Sequence, residues 1–276
     1  MRLYRVHTES GSRSAVARDG ALFALDGCPV DSPAIEAAAR EIAAGRRDAP
    51  ALGPLADARL AAPWTPRQIA AIGLNYHDHI RETGMATPER PLVFAKFPSS
   101  VIGPEQQIVA DPELTEQVDW EVELSVVVGR TMRGVAEADA LDHVLGYTVG
   151  NDVSARDVQF SDGQWVRAKS FDTFCPLGPA IVTPDEVGDP QALALRTRVN
   201  GEVVQDSSTA DMIFGVAELL AFCSRSFTLE RGDVVMTGTP WGCGGFMDPP
   251  RALRPGDVVE TEIERIGVLR NPVVAP

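Results

Sequence analysis

The chain has 276 residues, 44% of them hydrophobic, enough to bury a core in one large domain or a large one plus a small one, so disorder is not expected. A formal net charge of -14 and a pI near 4.7 repel polyanions, which excludes nucleic acid and anionic membranes as main partners and obliges an anionic substrate to find a local positive site. Met1-Arg2-Leu3-Tyr4-Arg5 leads into no apolar signal core, and runs such as Val126-Val127-Val128 are too short to span a bilayer, so a cytoplasmic protein is expected.

The chain opens with short strands at Leu3 to Val6, Ala15 to Arg18 and Ala21 to Leu25, the last two joined by Asp19-Gly20, a pair suited to a tight hairpin. A helix follows: Ser32 is a good N-cap, Pro33 suits the first helical position, Ala34 to Ala44 are strong helix formers, and Gly45 closes the end. The Pro/Gly/Ala-rich stretches Ala49 to Pro54 and Ala61 to Pro66 read as a link, which divides the chain into a small N-terminal α+β domain, 1–62, and a main domain, 63–276. From Gln68 onward short β-branched runs bounded by Gly, Pro and Asp favour a β-rich α+β core over a parallel α/β sheet. Arg231-Gly232-Asp233-Val234-Val235 and Pro255-Gly256-Asp257-Val258-Val259 repeat one turn chemistry ahead of an apolar strand. One clear helix is expected from about Phe214 to Phe222, with Phe214, Ala217, Leu220 and Ala221 on one face.

Three segments carry candidate chemistry. Alternation from Asp119 to Val128 puts Val122, Leu124, Val126 and Val128 on one face and Glu121 with Glu123 on the other. Those two acids are either a solvated strand face or, in a cleft, a pair whose repulsion a hard divalent ion compensates. Asp152 and Arg156 follow the apolar run Val144 to Val149, where a strand ends; they can serve as a third carboxylate ligand and a carboxylate fork, or as an Asx turn and a solvated cation. In Leu74 to Glu82, Asn75 and Asp78 form a capping pair, which leaves His79 and Glu82 at i and i+3, either exposed or as an imidazole oriented by a carboxylate. His77-x-His79 lacks a third nitrogen or sulfur ligand nearby. Lys169 is a surface lysine or a cation for a carboxylate or enolate. The loop Thr237 to Gly245 lacks the Gly-Lys-Ser/Thr ending of a nucleotide loop, and neither Gly-x-Ser-x-Gly nor an early Gly-x-Gly-x-x-Gly occurs. Cys28, Cys175, Cys223 and Cys243 form no C-x-x-C pair and are expected as free thiols.

The order of these segments is more specific than any one of them. Asn75-Tyr76-x-x-His79-x-x-Glu82, Phe94-Ala95-Lys96, Trp120-Glu121-Val122-Glu123-Leu124, Asn151-Asp152-x-Ser154-Ala155-Arg156-Asp157-x-Gln159, Ala168-Lys169-Ser170-Phe171-Asp172, Asp211-Met212-Ile213-Phe214 and Thr237-Gly238-Thr239-Pro240 together resemble the fumarylacetoacetate hydrolase superfamily, from about residue 68 to the C-terminus. The resemblance implies a mixed β-sandwich roll, a homodimer, and Mg2+ or Mn2+ held by Glu121, Glu123 and Asp152. It also implies a water-activating dyad, His79 and Glu82, and places Lys169, Arg156, Gln159 and Thr239 near substrate oxygens. The implied activity is hydrolysis of a carbon–carbon bond in a small 2,4-dioxo acid through an enolate. The alternative is decarboxylation or isomerisation of a 2-oxo diacid such as oxaloacetate or 2-hydroxyhepta-2,4-diene-1,7-dioate. Cys243 and the tail Glu264-Arg265-Ile266-Gly267 depart from the usual family pattern, and loops near Met85 to Pro91 and Trp241 to Phe246 are expected to shape the substrate-tail pocket.

Overall fold

The computed structural model describes residues 1–276. Its centre is an 11-stranded sheet in which the Val122–Val128 strand lies between Val144–Asn151 and Val234–Met236, all antiparallel. The sheet continues through Ile69–Gly73, parallel to Val234–Met236, to an edge strand at Leu92–Lys96. In the other direction it runs through Cys175–Val182 to the N-terminal strands Arg2–Thr8, Gly11–Arg18, Ala21–Ala24 and Ala51–Pro54. A second, five-stranded sheet comprises Glu202–Ser208, Ala194–Val199, Val258–Ile263, Gly267–Val274 and Ile108–Val109.

The two sheets share one core, so the molecule is the β-rich α+β sandwich expected. Val122, Leu124, Val126 and Val128 from the large sheet pack in one cluster with Leu195, Ile263 and Leu269 from the small one. The opposite face of the large sheet contributes Val127, Ile69 and Met236, covered by the helix Ile35–Ala43 through Ile35, Ala38, Ala39 and Ile42. Because every residue of Val122–Val128 is buried, alternation in this strand separates two interiors, one apolar throughout and one that is acidic at the Glu123 end and apolar at Val127.

Several local expectations hold. Asp19 and Gly20 both take positive φ, 51° and 77°, in a tight turn that pairs Arg18 with Ala21. Gly45 in the left-handed region follows the end of the first helix, as expected, but its start differs: the helix spans Ile35–Ala43 with Ala34 at the N-cap and no side-chain cap, so Pro33 lies before it and the Ser32 Oγ accepts only the Ala34 N–H in the preceding turn. Asp233 and Asp257 each accept the N–H three residues earlier, from Glu230 and Arg254, so the repeated turn is one structural solution used twice. All four cysteines are free and buried.

Other expectations need correction. Part of the first link stretch is a strand, Ala51–Pro54, because its backbone pairs with Ala21–Ala24. The second helix spans Val216–Ser226 and buries Val216, Leu219, Leu220 and Cys223; Phe214 lies before it and Ala217 is only half-buried. Gly215 takes the N-cap position and starts the helix two residues late. The capping pair at Asn75 and Asp78 does not form. Asn75 instead bonds the backbone of Phe214 and Thr237, and Asp211 accepts the Asp78 N–H at 2.7 Å at the start of helix His77–Thr83.

Candidate active site

The acidic side of the Val122–Val128 strand faces the turn that follows Val144–Asn151. Antiparallel pairing of Val122 with Asn151 sets Glu121 beside Asp152, and two bonds hold this junction. The Asp152 N–H donates to the Glu121 carbonyl, and the Glu121 N–H donates to Asn151 Oδ1, both at 2.9 Å. As a result Glu121, Glu123 and Asp152 are all buried, with carboxylate oxygens within 4.8 Å of one another.

Three buried cations surround them. The Lys169 ammonium donates to Glu121 Oε2 at 2.6 Å and to Asp152 Oδ2 at 2.8 Å. Lys96 donates to Asp152 Oδ1 and to the Lys169 carbonyl. Arg156, 2% exposed, donates from Nε to Asp119 Oδ2 at 2.7 Å and from Nη1 to Gln159 Oε1 at 2.9 Å, while Nη2 stands 2.6 Å from Glu121. That last contact is an ion pair out of hydrogen-bonding alignment, so Nη2 has no hydrogen-bond partner in the protein. That nitrogen is buried and held to Glu121 by charge, while the Arg156 side chain as a whole lines the pocket.

The charges do not balance. Four buried carboxylates, counting Asp119, face three buried cations, and the uncompensated one is Glu123. Burial and the neighbouring Asp152 and Glu121 push Glu123 well above the usual carboxylate range, against one favourable bond from the Gly238 N–H at 2.8 Å. Burial also pushes Glu121 up, yet Lys169 and Arg156 outweigh it and bring it down to about 2. Lys169 loses by burial and gains more from Asp152 and Glu121, so it stays charged above its ordinary value. Three oxygen-only ligands with a charge deficit are the donor set of a hard divalent cation, and the trio fits one.

Of the trio Glu121 reaches a pocket whose walls carry most of the expected residues. His79, Glu121, Arg156, Gln159, Lys169 and Thr239 line it together, closed by apolar side chains including Phe94, Trp165 and Phe246. Glu123 and Asp152 are not part of this lining but keep their carboxylates within 4.8 Å of that of Glu121, and Met85 and Phe246 reach the pocket from the two loops expected to shape the tail pocket. His79 is buried and its Nδ1 lies 2.7 Å from Glu82 Oε2, whereas His77 is exposed. Glu82 faces a neighbouring groove with Trp241, Gly242 and Phe246, and its Oε1 accepts the Gly242 N–H at 2.7 Å. Thr239 Oγ1 takes a bond from Gln205 Nε2 at 3.0 Å. Gly238, at φ 94°, lies so close to Asn75 that a Cβ would come within 2.8 Å of the Asn75 Cβ, so the Glu123-binding turn requires glycine.

Sequence reasoning missed three members of this site. Lys96 was visible as a lone lysine between Ala95 and Phe97 in an apolar strand, an unusual neighbourhood for a solvated cation. Asp119 gathers Arg156 and the Gly244 and Gly245 N–H groups, at 2.7 and 2.9 Å from the two glycines. Gln205 joins Val122, Thr197, Thr239 and Pro240 across the two sheets, and nothing local in the sequence marks it.

A two-sheet roll with a buried cluster of three carboxylates that could hold a metal ion, two lysines bonded to it and a histidine–glutamate pair beside it points to a class of enzymes. The chain belongs to the fumarylacetoacetate hydrolase family: the family's C-terminal domain profile matches residues 68–274. It is 50% identical over 218 residues to a mitochondrial oxaloacetate tautomerase of Xenopus laevis, covering 78% of this chain and 68% of the relative. Among solved structures it resembles a fumarylacetoacetate hydrolase of Exiguobacterium antarcticum, with 39% identity, TM-score 0.86 and full coverage of both chains. It also resembles a 2-hydroxyhepta-2,4-diene-1,7-dioate isomerase of Mycobacterium marinum, with 38% identity, TM-score 0.80, and coverage of 100% of this chain and 98% of that one. No helix is long and apolar enough to cross a membrane.

Proposed function

We propose that the chain is a divalent-metal-dependent enzyme that interconverts the enol and keto forms of a small 2-oxo diacid of the oxaloacetate class. The observation that carries this reading is the convergence of Lys169, Arg156 and His79 on the pocket above Glu121, supported by tautomerase and isomerase relatives at 38–50% identity. Glu121, Glu123 and Asp152 would hold Mg2+ or Mn2+, which when bound supplies Lewis acidity toward the 2-oxo acid head. Arg156 and Gln159, which both line the pocket, bind a substrate carboxylate. Lys169 places a fixed positive charge where the enolate oxygen develops. His79, oriented by Glu82, moves the proton on and off the carbon next to the ketone. Thr239 orients a substrate oxygen from the opposite wall.

Carbon–carbon hydrolysis of an acylpyruvate is the second reading, and the His79–Glu82 pair favours it because the same imidazole can activate a water. The two differ in their products: tautomerisation leaves the mass unchanged, whereas hydrolysis consumes water and releases pyruvate with a carboxylic acid. The protein, stripped with EDTA and resupplied with Mg2+ or Mn2+, should accelerate loss of the oxaloacetate enol absorbance. Metal-dependent pyruvate release from an acylpyruvate, without acceleration of the enol decay, would move the assignment to hydrolysis. Glu121→Ala should abolish metal dependence and turnover together; full metal-dependent turnover in that variant would refute the metal assignment. The reading carries with it a homodimer in the cytoplasm.

A further inference from the structure

A second group of side chains that could hold a metal ion stands apart from the three carboxylates. His79, Glu82 and Cys243 bring one ring nitrogen, one carboxylate oxygen and one sulfur within 4.8 Å of one another. The arrangement is built by backbone: the Gly242 N–H donates to Glu82 at 2.7 Å and holds Cys243 against the helix that carries His79. Cys243 is fully buried, and its sulfur makes only long contacts, 3.8 Å to Gln205 Nε2 and 3.8 Å to the Pro240 carbonyl. Glu82 opens onto the groove formed with Trp241, Gly242 and Phe246, which offers an entry path from solvent.

We infer that His79, Glu82 and Cys243 form an inhibitory site for a borderline-soft divalent ion, Zn2+ above all, distinct from the oxygen-only site at Glu121, Glu123 and Asp152. The donor sets select different ions. Nitrogen and thiolate ligands favour Zn2+ over Mg2+, whereas three carboxylates favour Mg2+ or Mn2+. Binding is charge-matched: the ion displaces the thiol proton to solvent, and a thiolate plus a carboxylate neutralise its two charges. Three protein ligands leave a fourth position for water. Occupation ties up the His79 nitrogen and the Glu82 carboxylate, so the pair can no longer carry a proton. That inhibitory consequence rests on the proposed role of His79; the binding itself does not.

The test separates the two. Co2+ is titrated into the Mg2+-saturated protein, and a thiolate-to-cobalt charge-transfer band in the near ultraviolet is expected, displaced by Zn2+ and absent from Cys243→Ser. Cys243→Ala, checked for folding by its melting curve, guards against a misfolded serine variant. Zn2+ should inhibit the Mg2+ enzyme, and Cys243→Ser should weaken that inhibition by about 100-fold or more, since even outer-shell losses cost 10–100-fold in affinity. No thiolate band in the native protein would overturn the site. Equal zinc inhibition of the native and Cys243→Ser proteins would also overturn it, by assigning the zinc to the carboxylate trio. A cobalt band that Cys243→Ser removes, with no inhibition, would keep the site and remove His79 from the reaction.

Discussion

Lys169 shows how much of the site rests on single charges. Its ammonium bridges Glu121 and Asp152 with no solvent to replace it, so Lys169→Met leaves two buried carboxylates short of a cation. Removing one partner of a buried pair costs about 3–5 kcal/mol, and guanidinium unfolding of the metal-free protein should show a loss of that order. Turnover should fall by roughly 100-fold or more, as expected when a fixed charge at a developing oxyanion is lost. The acid limb of the stability curve provides a separate readout. Glu121 is depressed from 4.5 to about 2 in the fold, so it contributes stability that is present above 4.5 and lost as pH falls toward about 2. Without Lys169 that depression shrinks, and the loss of stability over this window should flatten.

At the scale of an element, the short helix His77–Thr83 matters because it carries both His79 and Glu82. Seven residues do not sustain a helix alone, and its N-terminus is held by Asp211, which lies 133 positions away and accepts the Asp78 N–H. Asp211→Ala should cost about 1 kcal/mol, the typical value of an N-cap, measured by thermal melting. Turnover should fall by more than that stability loss explains, because the helix start sets the position of His79, while Mg2+ affinity should be unchanged. Asn75 has a different use. It bonds Phe214 on both its amide groups and Thr237 on the backbone, joining this helix to the turn that serves Glu123. Asp78 likewise accepts from Ser207 and Trp241 and so pins the loop next to Glu82. The local pattern at Asn75 and Asp78 read as a capping box because spacing is visible in sequence; the competing partners lie more than a hundred residues away.

For the whole molecule, the charge deficit at Glu123 makes metal binding a matter of stability as well as chemistry. Burial and two neighbouring carboxylates raise Glu123, so its contribution is favourable below 4.5 and is lost as pH rises through its raised value. Mg2+ or Mn2+ should reverse that loss. At a hundredfold excess over Kd an ion that binds only the fold adds about 2.7 kcal/mol, which is roughly 5–10 °C in Tm for a domain of this size. The rise should be larger at about pH 8 than at about pH 5, because a bound carboxylate must be deprotonated. Differential scanning fluorimetry at the two pH values checks it, and an equal shift at both would deny Glu123 a place among the ligands.

Much of this organisation was legible in the chain itself. Alternation assigned Val122, Leu124, Val126 and Val128 to one face and Glu121 with Glu123 to the other, because a strand's side-chain period is two wherever it sits. Turn chemistry at Asp19-Gly20 and at the paired Gly-Asp turns followed from which residues tolerate positive φ or accept a nearby N–H. The ordered motifs pointed to the family. What local pattern left open was whether the acids met a cleft or water, and whether His79 with Glu82 lay exposed or buried. Tertiary structure decided both, because burial and charge compensation depend on chain segments brought together across the sheets. Lys96, Asp119, Asp152 and Lys169 come from four separate stretches, and only their meeting in a dry interior turns ordinary charged residues into an unbalanced site that calls for a cation.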